Sequence, residues 1–535
     1  MAKPVNPAEV LAQWLERDLT AAAAQGELAP AFEVDDLVEQ IAEIVDSGRH
    51  PVLAGEAGVG KTAVIHELVR RAVRGAGPPA LQGRRVLQFS FRHRAAALEK
   101  AEQLRPETQK LWTALTPQAG EVVPFLRDFH EAYHANLEAQ LQTLALRWPG
   151  PILAEGDRAT VLAMFEGYPE LAERYVLLDV QEPDLERAER ILESWAREVA
   201  PRSGASFSKD ALEEALQLCH RFLPRSRMPR KVLDLLGQVA AVSGARTIGA
   251  AEVLERFCRA HRVPRLLVDP RQRLDLSEVE ATFRAQLLGQ DEAVQSVVRT
   301  VGLIKAGLSD VRRPFGVFLF VGPTGVGKTH LAQLLAEYLF GSRDRLVRLN
   351  MADYQKEEDA LLLFGNPEMI PPTLRRGILT QRLLGQPFAV LLLDELEKAH
   401  EKVHDRFLQL IDEGSFINGA GETVSCRANV IIATSNAGAE VYRGHFLGFR
   451  NPSDWPALEA EVARRVQERF RFEFLNRFDQ VVHFRPLTRE EIRAIAQREL
   501  GGLAQRPGLK RRGLRLEVDE AVLDWLTLNG YDPHY

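Results

Sequence analysis

Gly322-Pro-Thr-Gly-Val-Gly-Lys-Thr329 decides the reading of this chain. It follows the apolar run Phe318-Leu-Phe-Val321 and precedes a helical pattern from His330 to Phe340. The spacing G-x-x-x-x-G-K-T is that of a phosphate-binding loop. Gly322, Gly325 and Gly327, with Pro323, Thr324 and Val326 between them, let backbone N–H groups turn inward on a nucleotide's phosphates. Lys328 neutralises the β and γ charges, and Thr329 stands where a hydroxyl can ligate Mg²⁺. The following helix adds its N-terminal dipole. A strand, this loop and a helix in succession predict an α/β nucleotide-binding module.

A second loop of the same form occurs earlier. Pro51-Val-Leu-Ala54 reads as a short strand and leads into Gly55-Glu-Ala-Gly-Val-Gly-Lys-Thr62, with Gly55, Gly58, Gly60, Lys61 and Thr62 in the same places. The chain is therefore expected to be a tandem of two modules. A hydrolysing module also needs an apolar strand ending in Asp-Glu: the Asp holds Mg²⁺ and the Glu polarises the attacking water. The second module has Ala389-Val-Leu-Leu-Leu393 followed by Asp394 and Glu395. The first offers Val122-Val-Pro-Phe-Leu126 followed by Arg127 and Asp128. That puts a cation where a Mg²⁺ ligand belongs and a proline inside the strand, so the first site is expected to bind nucleotide without turning it over.

Composition narrows the class. With 535 residues the chain exceeds a single core, and a net charge of −6 gives it no bias towards polyanions, so no nucleic-acid partner is expected. Cys219, Cys258 and Cys426 are far apart and form no Cys-x-x-Cys pattern, which fits a reducing cytoplasm. The N-terminal residues lack an apolar leader, and no apolar run approaches the ~18 residues of a membrane span. A soluble cytoplasmic protein with no membrane partner is the expectation.

Read in order, residues 1–30 form an N-terminal helical leader, with Asn6-Pro-Ala-Glu9 as a helix start. Residues 31–184 make the first α/β core, closing on the strand Tyr175-Val-Leu-Leu178, and residues 185–262 a helical lid. Residues 263–277, bracketed by Pro264 and Pro270, are a linker. The second core covers 278–487 and a second lid 488–535. One motif competes with this plan. His130-Glu-Ala-Tyr-His134 satisfies H-E-x-x-H, the zinc metalloprotease pattern, with Glu138, Glu155 or Asp157 as third ligand. Against it, the helix lies inside a nucleotide-binding module.

Taken together, Leu288-Gly-Gln-Asp-Glu-Ala293, the second phosphate loop, Leu393-Asp-Glu-Leu-Glu-Lys-Ala-His400, Thr434-Ser-Asn436 and Phe472-Glu-Phe-Leu-Asn-Arg-Phe-Asp479 resemble the second AAA+ module of the Clp ATPases, the protein unfoldases and disaggregases. The resemblance is dense from about Glu278 to Thr488 and looser from Phe32 to about Ala241. It implies two tandem P-loop AAA+ modules, each a parallel sheet flanked by helices plus a small lid, in a homo-oligomeric, hexameric ring that uses ATP and Mg²⁺ to remodel or unfold protein substrates. Asn436 then corresponds to the sensor asparagine at the γ-phosphate. Arg477 corresponds to the arginine finger inserted into a neighbouring subunit's site, a kind of group worth about 10³ to 10⁵ in rate.

Departures from the family pattern carry expectations of their own. The stretch matching the pore loop, Phe364-Gly-Asn-Pro-Glu-Met-Ile-Pro-Pro372, has no tyrosine, which leaves Met369 and Ile370 to grip polypeptide. An ATP-dependent assembly switch or scaffold that threads no polypeptide is the alternative reading. Leu447-Gly448-Phe449 fits the tripeptide with which Clp ATPases dock on a barrel peptidase of the Clp type. Between Ala200 and Val242 there is no room for a coiled-coil middle domain. The chain stops at Tyr535, before the family's Gly-Ala-Arg sensor, so the second lid is expected to be incomplete and the sequence a fragment.

Overall fold

His50-Pro-Val-Leu-Ala54 and Gly316-Val-Phe-Leu-Phe-Val321, the strands entering the two loops, are buried at every position. Near-continuous apolar runs of this kind belong to parallel sheets covered on both faces. A computed structural model describes residues 7–98, 103–223, 226–243, 247–310, 312–366, 375–443 and 455–530. Contacts divide the chain into two units, Met1–Arg256 and Phe257–Tyr535.

The first unit is built on six strands: β1 (Leu15–Asp18), β2 (His50–Ala54), β3 (Arg85–Ser90), β4 (Val122–Arg127), β5 (Leu153–Gly156) and β6 (Tyr175–Asp179), in the order β1-β3-β4-β5-β2-β6. All neighbours are parallel except β1, which pairs antiparallel with β3 at the edge. Alternate residues of the central strands supply two cores. Val52, Leu87, Phe89, Leu126 and Ala154 pack on one face, and Leu53, Val86, Val123, Phe125 and Leu153 on the other. Pro124 does lie within β4, opposite Leu87 of β3, but before the pairing with β5 begins at Phe125. The proline therefore weakens the strand without excluding it. The region read as a helical leader departs from that reading. Helices Pro7–Trp14 and Leu19–Ala24 are separated by β1, an edge strand too short and too polar (Leu-Glu-Arg-Asp) to show an apolar period.

Helices Leu185–Glu198, Lys209–Phe222, Arg230–Ser243 and Ala250–His261 follow, joined by a two-residue parallel ladder of β7 (Ser206–Phe207) and β8 (Thr247–Ile248).

In the second unit β9 (Gly316–Val321), β10 (Leu346–Asn350), β11 (Val390–Asp394), β14 (Val430–Ser435) and β15 (Gln480–His483) form a wholly parallel sheet ordered β10-β11-β14-β9-β15. A separate hairpin joins β12 (Ser415–Ile417) to β13 (Thr423–Ser425). With β1 set aside, the two sheets have the same order, and each phosphate loop leaves the strand beside the last one. Phe318 and Phe320 are fully buried, and Phe320 packs on Phe484 at 5.1 Å. Burying one such side chain contributes about 1.5–3 kcal/mol. Three helices, Arg489–Ala504, Pro507–Arg511 and Glu520–Asn529, follow the sheet, the first opened by a capping box in which Thr488 and Glu491 bond each other's backbone N–H. Among the described residues no helix is long and apolar enough to cross a membrane.

Candidate active site

Both loops need glycine at their first position for the same reason. A Cβ at Gly322 would lie 2.4 Å from the carbonyl oxygen of Phe484, and one at Gly55 would lie 2.3 Å from that of Val180. Each carbonyl belongs to the residue just beyond the last strand, so the close approach is set by the sheet. The loops end in Gly327 and Gly60, both left-handed, which begin helices Lys328–Phe340 and Lys61–Val73.

In the second unit Lys328 is buried, and its Nζ donates to the carbonyls of Gly322 and Pro323 and to Asn436 Oδ1 at 2.9 Å. Burial pushes the amine down to about 8, against the attraction of Glu397, Asp394 and Glu395. Asn436 follows β14 directly. Its Nδ2 donates to Glu395 Oε1 at 3.4 Å, and its backbone N–H to Glu397 Oε1 at 3.0 Å. Asp394 ends β11; it accepts from Thr434 Oγ1 at 2.5 Å and pairs with Arg348 of β10. Glu395 has φ 58°, a left-handed conformation that a non-glycine residue adopts only at a cost, and its N–H donates to Thr434 Oγ1. This twist turns its carboxylate off the strand towards Asn436, with Lys398 Nζ on the other oxygen at 2.7 Å. A cation, an amide and a carboxylate thus converge at the mouth of the loop. That set can bind phosphate and orient a water beside it. Oxygen donors Thr329 and Asp394 fit a hard divalent cation by type.

Arg477 is not part of this cluster. Its Nε pairs with Asp412 Oδ2 at 3.1 Å, its backbone carbonyl accepts from Arg313, and its side chain is about 40% exposed. The finger assigned by resemblance therefore stands on the surface of its own unit, held by Asp412.

The first loop is surrounded differently. Lys61 Nζ donates to the carbonyls of Gly55 and Glu56, as Lys328 does in its own loop. Opposite strand positions show that Arg127, which faces Ser90, corresponds to Asp394, which faces Asn350. Asp128 then corresponds to Glu395, and it shares the left-handed backbone at φ 53°. Asp157 falls where Asn436 stands, but its Oδ2 caps helix Arg158–Gly167 by accepting from Thr160. Glu155 lies at the position of Thr434 and takes the Thr62 hydroxyl at 2.7 and 2.9 Å. Beside the loop a cavity of about 310 Å³ is lined by Phe32, Val34, Gly60, Ile191, Trp195 and Leu233 among others. It is apolar enough to take a purine.

Within H-E-x-x-H, His130 and Glu131 are held by neighbouring groups. Glu131–His134 is a single helical turn, His130 Nδ1 accepts from the Asp157 N–H at 3.2 Å, and Arg92 occupies Glu131 and the far side of the His130 ring. Among the described residues no three His, Cys, Asp or Glu side chains are grouped to hold a metal ion. Met369 and Ile370, and Leu447, Gly448 and Phe449, lie outside the described residues. Sequence reading missed Arg348, Asp412 and the part played by Glu155. None lies in a recognisable local motif, and each acquires its partner only through folding.

Comparisons with known proteins find similarity along both units. Residues 313–481 match the model of the AAA domain (Cdc48 subfamily), and residues 487–535 match that of the C-terminal D2-small domain of ClpB protein. The chain is 29% identical to the chaperone protein ClpB of Meiothermus ruber over 649 aligned positions, covering 96% of this chain and 75% of that one. It is 28% identical to the ATP-dependent Clp protease ATP-binding subunit ClpC of Staphylococcus saprophyticus, covering 97% and 73%. Among solved structures, the closed state of Hsp104 with ATPγS and FITC-casein superposes with a TM-score of 0.77 at 26% identity, covering 98% of this chain and 92% of that one. The extended Saccharomyces cerevisiae Hsp104:casein complex gives 0.74 at 25%.

Proposed function

We propose that this chain is a member of the Clp family of AAA+ ATPases that hydrolyses ATP mainly in its second module and uses the energy to remodel or unfold proteins. Its architecture is that of Hsp104, two tandem AAA+ modules with parallel sheets. The observation carrying the proposal is the convergence of Lys328, Asn436 and Glu395 around the second loop, which the first loop lacks. Thr329 and Asp394 would hold a Mg²⁺ ion arriving with the nucleotide, which would neutralise charge on the phosphoryl oxygens. Lys328 binds the β and γ phosphates. Asn436 orients the attacking water, and Glu395, twisted off the end of β11, accepts its proton. Arg477 completes the site of a neighbouring subunit in a hexameric ring, which ties turnover to assembly. The first module serves as a nucleotide-binding platform: its cavity and Lys61 are in place, whereas Asp157 is spent on a helix cap.

Substrates are proteins in this proposal, as in the Hsp104–casein complexes. Docking on a barrel peptidase through Leu447, Gly448 and Phe449 is part of the same reading. The test is ATP-dependent loss of fluorescence from a tagged, stably folded protein, with and without a barrel peptidase. Wild-type protein is expected to unfold it, and Glu395→Gln to bind ATP yet lose turnover by about 10²- to 10⁴-fold. ATPase near the wild-type rate in Glu395→Gln would overturn the assignment. Intact turnover without unfolding would favour the assembly-switch reading.

A further inference from the structure

We propose that Glu155, one strand away from the usual position, is the carboxylate through which the first loop takes a divalent cation together with its nucleotide. This rests on the reading that the first loop binds nucleotide. In the second unit the carboxylate is on β11 (Asp394) and a hydroxyl faces it from β14 (Thr434). In the first unit β4 carries the guanidinium of Arg127, and the carboxylate has crossed to β5 as Glu155. Both Glu155 oxygens accept from Thr62, the hydroxyl that follows the loop lysine. The hydroxyl proton is thereby committed to Glu155, and its oxygen lone pairs are left for a cation.

Arg127 does not occupy that point. Its Nη1 is drawn to Glu16 at 3.0 Å, and its Nε donates to Glu155 at 3.2 Å. Glu16 is supplied by β1, the strand with no counterpart in the second sheet, and is held by Gln88 Nε2 at 2.8 Å. The extra edge strand thus gives Arg127 a counter-ion, so the guanidinium is turned along the sheet and braces the relocated carboxylate. Glu155 is only 6% exposed, so a cation beside Thr62 would meet a carboxylate shielded from bulk water.

A hydroxyl and a carboxylate are oxygen donors suited to Mg²⁺ or Mn²⁺. Two protein oxygens do not fill such a shell, and among the described residues no group of three ligating side chains exists. The remaining donors must be phosphate and water, so the cation binds only with nucleotide.

The experiment uses the full chain carrying Lys328→Ala, which silences the second loop, and methylanthraniloyl-ATP as probe, in EDTA and in Mg²⁺. Mg²⁺ is expected to tighten binding by about tenfold or more, and Glu155→Gln to lose that gain while keeping its affinity in EDTA, which also reports an intact fold. Mn²⁺ electron paramagnetic resonance should show a nucleotide-dependent bound signal that Glu155→Gln removes. Arg127→Asp combined with Glu155→Thr, which copies the second module's arrangement, should restore it. Equal affinity in EDTA and Mg²⁺, or a gain retained in Glu155→Gln, overturns the proposal. Absence of binding in both buffers overturns the nucleotide-binding reading and this proposal with it.

Discussion

The two modules share strand order, loop glycines and even the left-handed residue after the fourth-from-edge motif strand, Asp128 in one and Glu395 in the other. They differ in what the side chains around that frame do. The second module places an amide and a carboxylate within reach of its loop lysine. The first uses the corresponding positions for a cap, a charge pair and a hydroxyl acceptor. A shared backbone frame therefore sets where chemistry could occur, and a few side chains decide whether it does.

Three measurements sharpen or break that contrast. Arg477→Ala should have the largest effect, a loss of about 10³ to 10⁵ in turnover, with nucleotide affinity retained. The lesion should appear in the neighbour's site, so mixtures with Lys328→Ala subunits should inhibit non-additively. Additive inhibition would place Arg477 outside the shared site. Next is pH. Because burial holds Lys328 at about 8, below the 10.5 of a free lysine, its amine is charged below pH 8 and must gain a proton to bind phosphate above it. Affinity at the second loop should fall by up to about tenfold per unit between pH 8 and 10, with proton uptake seen by calorimetry in buffers of different ionisation enthalpy. A flat profile would contradict a desolvated lysine. The smallest effect should come from Asp128→Asn: despite sharing the backbone of Glu395, it should leave turnover within about twofold, since general-base loss costs 10²- to 10⁴-fold only where the base works. A large loss would make the first module a second motor.

Much of this was legible in the residues. Both phosphate loops, the strands feeding them and the contrast between Arg127-Asp128 and Asp394-Glu395 are local patterns, and each appears in the fold where the spacing placed it. β1 was not legible, because one apolar residue in four carries no period and an edge strand needs none. Glu155 was visible only as a third ligand for a zinc site. Its true neighbour, Thr62, is 93 positions away in the chain.

The sequence by itself determined two loops of phosphate-binding form, because glycine conformation, a lysine and a helix start are properties of eight consecutive residues. Only the tertiary structure decided which loop is faced by Glu395 and Asn436 and which by Glu155 and Arg127. Parallel strands far apart in sequence set those partners, and register along a sheet is fixed by packing on both faces.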